Sequence, residues 1–235
     1  MKNRLPHQRT GTSSAFTLIE CLVAIVVILI VVSIAVPAIN GVIERSRTVS
    51  CQQNLRQQYI AFNTFAAENQ NRWPARVAFN DDGNVQGNYV YFIREYLPAA
   101  NNYGRCIGNL GKVYICPEVE DLREYTAGTS YGINGNLFES FSGPTLIRVD
   151  GIAVPPRTIL LGDGCWIGNQ FTSWIDQTRL PGRTFPESNP SPSMHTQGGA
   201  NLLFCDGHVE YWPDTSILTQ RQYLDGGPKD VWTLK

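Results

Sequence analysis

From Cys21 to Ile43 the chain runs for 23 residues without a charge, and most of them are aliphatic. As a helix this stretch would cover roughly 34 Å, the thickness of a bilayer core with slight tilt. Past it, apolar residues recur at helical spacing: Ile39, Val42, Val49, Leu55, Tyr59, Phe62 and Ala66. The later steps of four, three and four residues are the amphipathic period. Arg45, Arg47, Gln52, Gln53, Arg56 and Gln57 fall between them and suit solvent. The pattern predicts one helix from about Phe16 to Glu68, roughly 80 Å long. Its 16–43 half, charged only at Glu20, is the membrane-spanning part, and its 44–68 half packs one face on a domain. Pro37 removes a backbone donor and should kink this helix without ending it. Asn69 to Pro74, Asn-rich and closing on Trp-Pro, is a stop signal.

The 69–235 remainder is rich in turn residues and poor in long periodic segments, so the fold class expected is α+β: a long N-terminal helix packed on an antiparallel β-sheet domain. Asp81-Asp82-Gly83-Asn84 reads as a turn, Tyr89 to Leu97 as a short helix, and Lys112 to Cys116 as a strand closed by Pro117. Arg157 to Gly162 reads as a buried strand, Phe171 to Ser193 as a surface loop, and Asp150-Gly151 and Asp163-Gly164 as turns. The strongest hairpin signal is Ala200 to Trp212 around Asp206-Gly207. A two-residue type I′ turn there would pair Phe204 with Val209 and Leu202 with Tyr211. It would also leave Asn201, Leu203, Cys205, His208, Glu210 and Trp212 on a mixed, more exposed face.

Composition adds little but excludes some classes. The chain has 235 residues, 43% of them hydrophobic, and a net charge of −1. Without a basic patch, no nucleic-acid partner is expected. The first fifteen residues carry Lys2, Arg4 and Arg9 and no acid, which by the positive-inside rule keeps the N-terminus cytoplasmic. Six cysteines are present, with Cys21 inside the apolar run, and the remaining five cannot all pair within one molecule. Cys106 and Cys116 bracket a short Gly-rich loop and could close a small disulfide; the alternative is a set of small buried thiols.

The apolar run fits an ordinary secretory signal poorly, being too long and without a clear small-residue cleavage site after it. A plain signal anchor leaves Glu20 at the membrane edge unexplained. Ser14-Ala15-Phe16-Thr17-Leu18-Ile19-Glu20, behind a basic leader and ahead of the apolar span, resembles the type IV prepilin signal of pilins and type II secretion pseudopilins. Ala15 stands where Gly is usual. The resemblance implies a 1–15 leader removed by prepilin peptidase between Ala15 and Phe16, and methylation of the new Phe16 amine. It also implies a single-pass inner-membrane precursor with a periplasmic C-terminal domain, and assembly with other pilin or pseudopilin subunits on an inner-membrane platform. In that scheme Glu20 neutralises a neighbour's Phe16 amine, and Pro37 is the helix-kinking proline many type IV pilins carry.

A second resemblance covers the rest of the chain. His195 through Asn201 to Asp206-Gly207-His208-Val209 is similar to a bacterial pseudopilin-like family with a C-terminal His-x9-Asp-Gly signature. Cys51 to Leu55, Cys116-Pro117 and Ser130 to Asn134 also resemble that family's motifs. Ten residues, not nine, separate His195 from Asp206, with the extra residue in the Gln197-Gly198-Gly199 turn.

The candidate chemistry is sparse. His195, Asp206 and His208, with Glu210, are donor types that hold metals, yet turn and surface roles account for them equally. Asp225-Gly226-Gly227 and Asp230 are candidate calcium hosts without EF-hand spacing. No nucleophile, phosphate-loop or H-E-x-x-H motif occurs, so no enzyme, no catalytic residue and no obligatory cofactor are expected. The rival reading is a membrane-anchored extracytoplasmic binding module or metal-dependent enzyme carrying a pilin-type leader.

Overall fold

The structure is a computed structural model that describes residues 17–79, 85–97, 112–118, 129–138, 147–164, 166–167, 170–171, 174–175, 195, 199–214 and 231. Ala15, Phe16, Cys106, the Asp81–Asn84 turn, nearly all of the 171–193 loop, Gln197-Gly198 and the Asp225–Asp230 segment lie outside the described residues. The chain divides into two compact units, Met1–Ile43 and Glu44–Lys235.

Helix α1 (Leu18–Glu68) starts on a reciprocal cap. The Thr17 backbone N–H donates to Glu20 Oε2 at 2.8 Å, its hydroxyl donates to the same oxygen at 2.9 Å, and the Glu20 N–H donates to Thr17 Oγ1 at 3.3 Å. This is a capping box, and it satisfies two of the four donors that a helix start leaves open. Thr17 C=O accepts the first helical bond, from Cys21 N–H. In the first unit the apolar side chains face outward all round, with Leu18 84% and Ile34 70% exposed. The helix is continuous through Pro37. By length and composition it is a candidate membrane span.

In the second unit α1 turns one face to the core: Cys51, Leu55, Gln58, Phe62 and Ala66 are buried. Leu55, Phe62 and Ala66 are positions the apolar pattern predicts, and Tyr59 packs partly buried beside them. Val49 is largely exposed, and the polar Gln58 is buried because both ends of its amide are bonded. Its Nε2 donates to Val113 C=O at 2.9 Å, and its Oε1 accepts from the Tyr89 hydroxyl at 2.9 Å. α1 ends where expected. Gln70 and Asn71 take left-handed φ of 57° and 58°, and Asn71 N–H returns to Ala66 C=O.

Two short pairs follow the helix in sequence: β1 (Arg72–Trp73) with β5 (Ile147–Arg148), and β2 (Val77–Phe79) with β3 (Val85–Asn88). α2 (Val90–Ile93) and a following 3₁₀ turn occupy the predicted Tyr89–Leu97 helix. Lys112–Tyr114 is a 3₁₀ turn, not a strand; its carbonyls face α1 and Thr129. The main sheet joins β4 (Tyr131–Asn134), β6 (Ile159–Asp163), β9 (Trp174–Ile175), β10 (Ala200–Phe204) and β11 (Val209–Trp212) in the order β11-β10-β6-β4-β9. It is antiparallel except for β9, which runs parallel to β4. A separate small hairpin joins β7 (Trp166–Ile167) and β8 (Gln170–Phe171).

Both faces of the central strands are covered. Leu161, Leu203, Tyr131 and Ile133 pack with the α1 residues, while Ile159, Leu202 and Phe204 pack with Ile175 and Val231. The β10–β11 register corrects the expected one. Leu203 pairs with Val209 and Leu202 with Glu210, a one-residue slip from the two-residue-turn prediction. The turn has three residues, Cys205-Asp206-Gly207. Gly207 N–H bonds to Phe204 C=O, Phe204 N–H bonds to His208 C=O, and only Gly207 has positive φ, 95°. That is a type I turn closed by a glycine bulge. The slip puts Val209 on the helix side with Leu203 and Cys205, and buries Asn201, Leu203 and Cys205, which the sequence pattern leaves more exposed.

Gly207 is also fixed by packing. A Cβ there would lie 2.4 Å from the Tyr59 ring, whose hydroxyl donates to Cys205 C=O at 3.2 Å. Gly207→Ala is expected to destabilise the second unit by about 1–3 kcal/mol, read as a lower urea midpoint. A loss under about 0.5 kcal/mol would mean that neither φ nor Tyr59 constrains the turn.

Candidate functional site: a buried polar network around His195

Asp163 closes β6 after the apolar run Ile159-Leu160-Leu161, and its side chain is fully buried. A charge in such a place needs partners. Oδ2 accepts three bonds: from Asn201 backbone N–H at 2.6 Å, from Asn201 Nδ2 at 3.1 Å, and from His195 Nε2 at 2.8 Å. Asn201 Nδ2 also lies 2.9 Å from His195 Nε2, but a carboxylate can only accept, so we assign the His195 hydrogen to Nε2 and the Asn201 hydrogen to Asp163. Asn201 Oδ1 accepts in turn from Gln52 Nε2 of α1 at 3.1 Å. Asp163 is therefore a strand residue and a bonding centre, not part of a turn.

Beyond His195 the charges alternate. Its Nδ1 lies 4.0 Å from Glu118 Oε1, and Glu118 Oε2 lies 3.8 Å from an Arg47 nitrogen on α1. Glu118 and His195 are buried side chains, whereas Arg47 reaches solvent. Burial alone would push the His195 pKa down, but the bond to Asp163, its charge and that of Glu118 hold it above the ordinary imidazole value. Burial pushes the Glu118 pKa up, against the opposing pull of His195 and Arg47.

Next to His195 lies a disulfide between Cys51 of α1 and Cys116, whose sulfur is 3.9 Å from His195 Nε2. The expected Cys106–Cys116 loop is thus corrected: the partner of Cys116 is 65 residues away in sequence, on the long helix. Sequence nearness suggested Cys106, but the packing of α1 brings Cys51 to Cys116. Closing a loop of this length removes about 4 kcal/mol of chain entropy from the unfolded state. The neighbours of the bridge are bonded too. Cys116 N–H donates to Ser130 Oγ at 2.6 Å, and Asn54 Nδ2 donates to Ile115 C=O at 3.1 Å and to the Tyr131 hydroxyl at 3.2 Å. Asn134 Nδ2 braces β6 through Ile159 C=O at 2.8 Å. Cys51, Asn54, Cys116, Ser130, His195 and Asn201, dispersed in the sequence motifs, therefore meet in one place.

The three weak metal candidates do not meet there. His195 is in the network, while Asp206 and His208 sit half-exposed at the hairpin tip and bond each other. Asp206 Oδ1 accepts from the His208 backbone N–H at 3.1 Å and from its Nδ1 at 2.6 Å, and the imidazole stacks on Phe204 with ring centroids 4.3 Å apart. A turn account suffices for both. Cys51 and Asn201 stand out in the sequence only as motif residues, and Asp163 and Glu118 do not stand out as members of a network. The signal available for Asp163 was an acid at the end of an otherwise apolar buried strand.

Cys205, the first residue of the turn, is buried and unbridged, and burial holds its thiol well above the usual range, with the Asp206 charge adding to this. Alkylation of the folded chain at about pH 8 is expected to leave Cys205 unlabelled until denaturant is added. Peptide mapping without reductant should recover Cys51 joined to Cys116. Rapid native labelling of Cys205 would contradict its burial.

Residues 12–36 match the family model described as the prokaryotic N-terminal methylation motif. The match runs from residue 12 into the first part of α1, and the motif indicates a type IV pilin-like prepilin-peptidase substrate. With the long N-terminal helix behind it, this is consistent with a pilin- or pseudopilin-like protein that assembles with other pilin subunits. The apolar helix is consistent with a single-pass membrane anchor. Neither a curated protein nor a solved structure matches the chain.

Proposed function

We propose that this chain is a structural pilin or pseudopilin subunit of a type II secretion or type IV pilus-like periplasmic fibre. Prepilin peptidase cuts between Ala15 and Phe16, and the new amine is methylated. Phe16 to Ile43 hold the precursor in the inner membrane with the N-terminus cytoplasmic, until an assembly platform moves it into the fibre. There the same helix becomes the fibre core, and Glu20 pairs with the Phe16 amine of a neighbour.

The observation that carries this reading is the start of α1: a Thr17–Glu20 capped turn inside the methylation motif, opening an apolar surface that is exposed on every side. A surface of this size is not left in water; it calls for lipid or for other copies of itself. The polar network supports a structural rather than a catalytic duty for the second unit. Asp163, His195 and Asn201 are each at most 3% exposed, so a substrate would have to break the core to reach them. Mass spectrometry of the mature protein is expected to find Phe16 as an N-methylated first residue. An intact Met1, or a first residue beyond Ile43, would sink the proposal.

A further inference from the structure

We infer that the reduced chain binds one zinc-type divalent ion through Cys51, Cys116, His195 and Asp163. One donor atom from each lies within 4.8 Å of the others, and all four residues are buried. A tetrahedral site with metal–sulfur distances near 2.3 Å and metal–nitrogen or metal–oxygen distances near 2.0 Å needs its donors about 3.3–3.8 Å apart. Cys116 Sγ and His195 Nε2 are 3.9 Å apart, so small side-chain movements suffice. Two thiolates, one imidazole and one carboxylate are a zinc set; calcium would ask for six or more oxygens.

A second observation points the same way. Asp163 Oδ1 is buried and has no hydrogen-bond partner among the described residues, while Oδ2 is fully engaged. A buried carboxylate oxygen left in this state is costly unless something fills its lone pairs. Asn201, donating twice to Oδ2, is the positioning residue that holds the carboxylate in place.

Disulfide and metal exclude each other. A dithiol reductant exchanges with the Cys51–Cys116 bond, leaving two protein thiols and the reductant's own disulfide. Metal binding then releases the two thiol protons and the Nε2 proton of His195 to buffer. In either state Cys51 on α1 stays tied to the Cys116 segment, so the ion would replace the clamp that reduction removes and add β6 and His195 to it.

Cobalt is the probe, added without oxygen to the full chain in detergent micelles. The reduced chain is expected to bind one Co²⁺ per chain, with a thiolate-to-cobalt charge-transfer band and the intense visible bands of a tetrahedral site. The oxidised chain should show neither. Cys51→Ser and Cys116→Ser should each lose at least half of the charge-transfer band, Cys21→Ala and Cys205→Ala none of it. Asn201→Ala should weaken binding at least about tenfold. Zinc should also restore thermal stability lost on reduction, a readout that needs no variant. A reduced wild-type chain that binds no cobalt, or a band that survives in both serine variants, overturns the inference.

Discussion

Asp163→Ala is expected to lower the stability of the Glu44–Lys235 unit by about 3–5 kcal/mol, the cost of breaking one side of a buried, hydrogen-bonded charge pair. The deletion removes the acceptor for three donors at once, two from Asn201 and one from His195. It also leaves the imidazole, whose protonated form Asp163 favours, in a site shielded from water. Asp163→Asn keeps the shape and one acceptor oxygen but no charge, and should cost less than the alanine. Urea unfolding of the full chain in micelles measures both. Removing His195 together with Asp163 should cost clearly less than the two single changes added, with a coupling above about 1 kcal/mol. Strict additivity, or an Asp163→Ala loss below about 1 kcal/mol, would mean that water replaces the carboxylate and the network is not a bonding centre.

Glu20→Ala is expected to reduce fibre incorporation by at least about tenfold while the second unit folds normally. A carboxylate at the edge of an apolar span is kept only where a partner offsets its desolvation. In the single chain Glu20 serves the Thr17 N–H and hydroxyl. In the proposed fibre the neighbour's Phe16 amine adds a full positive charge. Thr17→Val separates the two duties. It removes the hydroxyl half of the cap, worth about 1 kcal/mol of helix stability, but leaves the carboxylate available. Thr17→Val should therefore assemble far better than Glu20→Ala when fibres are sheared and quantified. Equal loss in both variants would assign the effect to the helix start and remove the intersubunit charge pair.

The motif residues outside the N-terminus show where sequence reading stops. Cys51, Asn54, Cys116, Ser130, Asn134, His195 and Asn201 could be picked out as a set of motifs, but not as neighbours. Ser130 and Asn134 turn out to hold main-chain groups of Cys116 and Ile159, bonds made across loops. The hairpin was legible in place but not in register. Asp-Gly signals a turn, yet whether two or three residues close it depends on which side of β10 the helix covers. Here Tyr59 and the α1 face take Cys205 and Leu203.

By itself the sequence determined the signal around Ala15 and Phe16, the uncharged span to Ile43, the helix end near Glu68 and the α+β class. All of these rest on interactions within a few residues, where spacing is the geometry. Tertiary structure alone decided that Cys116 pairs with Cys51, that Asp163 and not Asp206 receives His195, and that Gln58 is buried. A disulfide, a buried ion pair and a satisfied amide each need two groups brought together from far apart in the chain. Packing chooses those partners, and no local pattern encodes them.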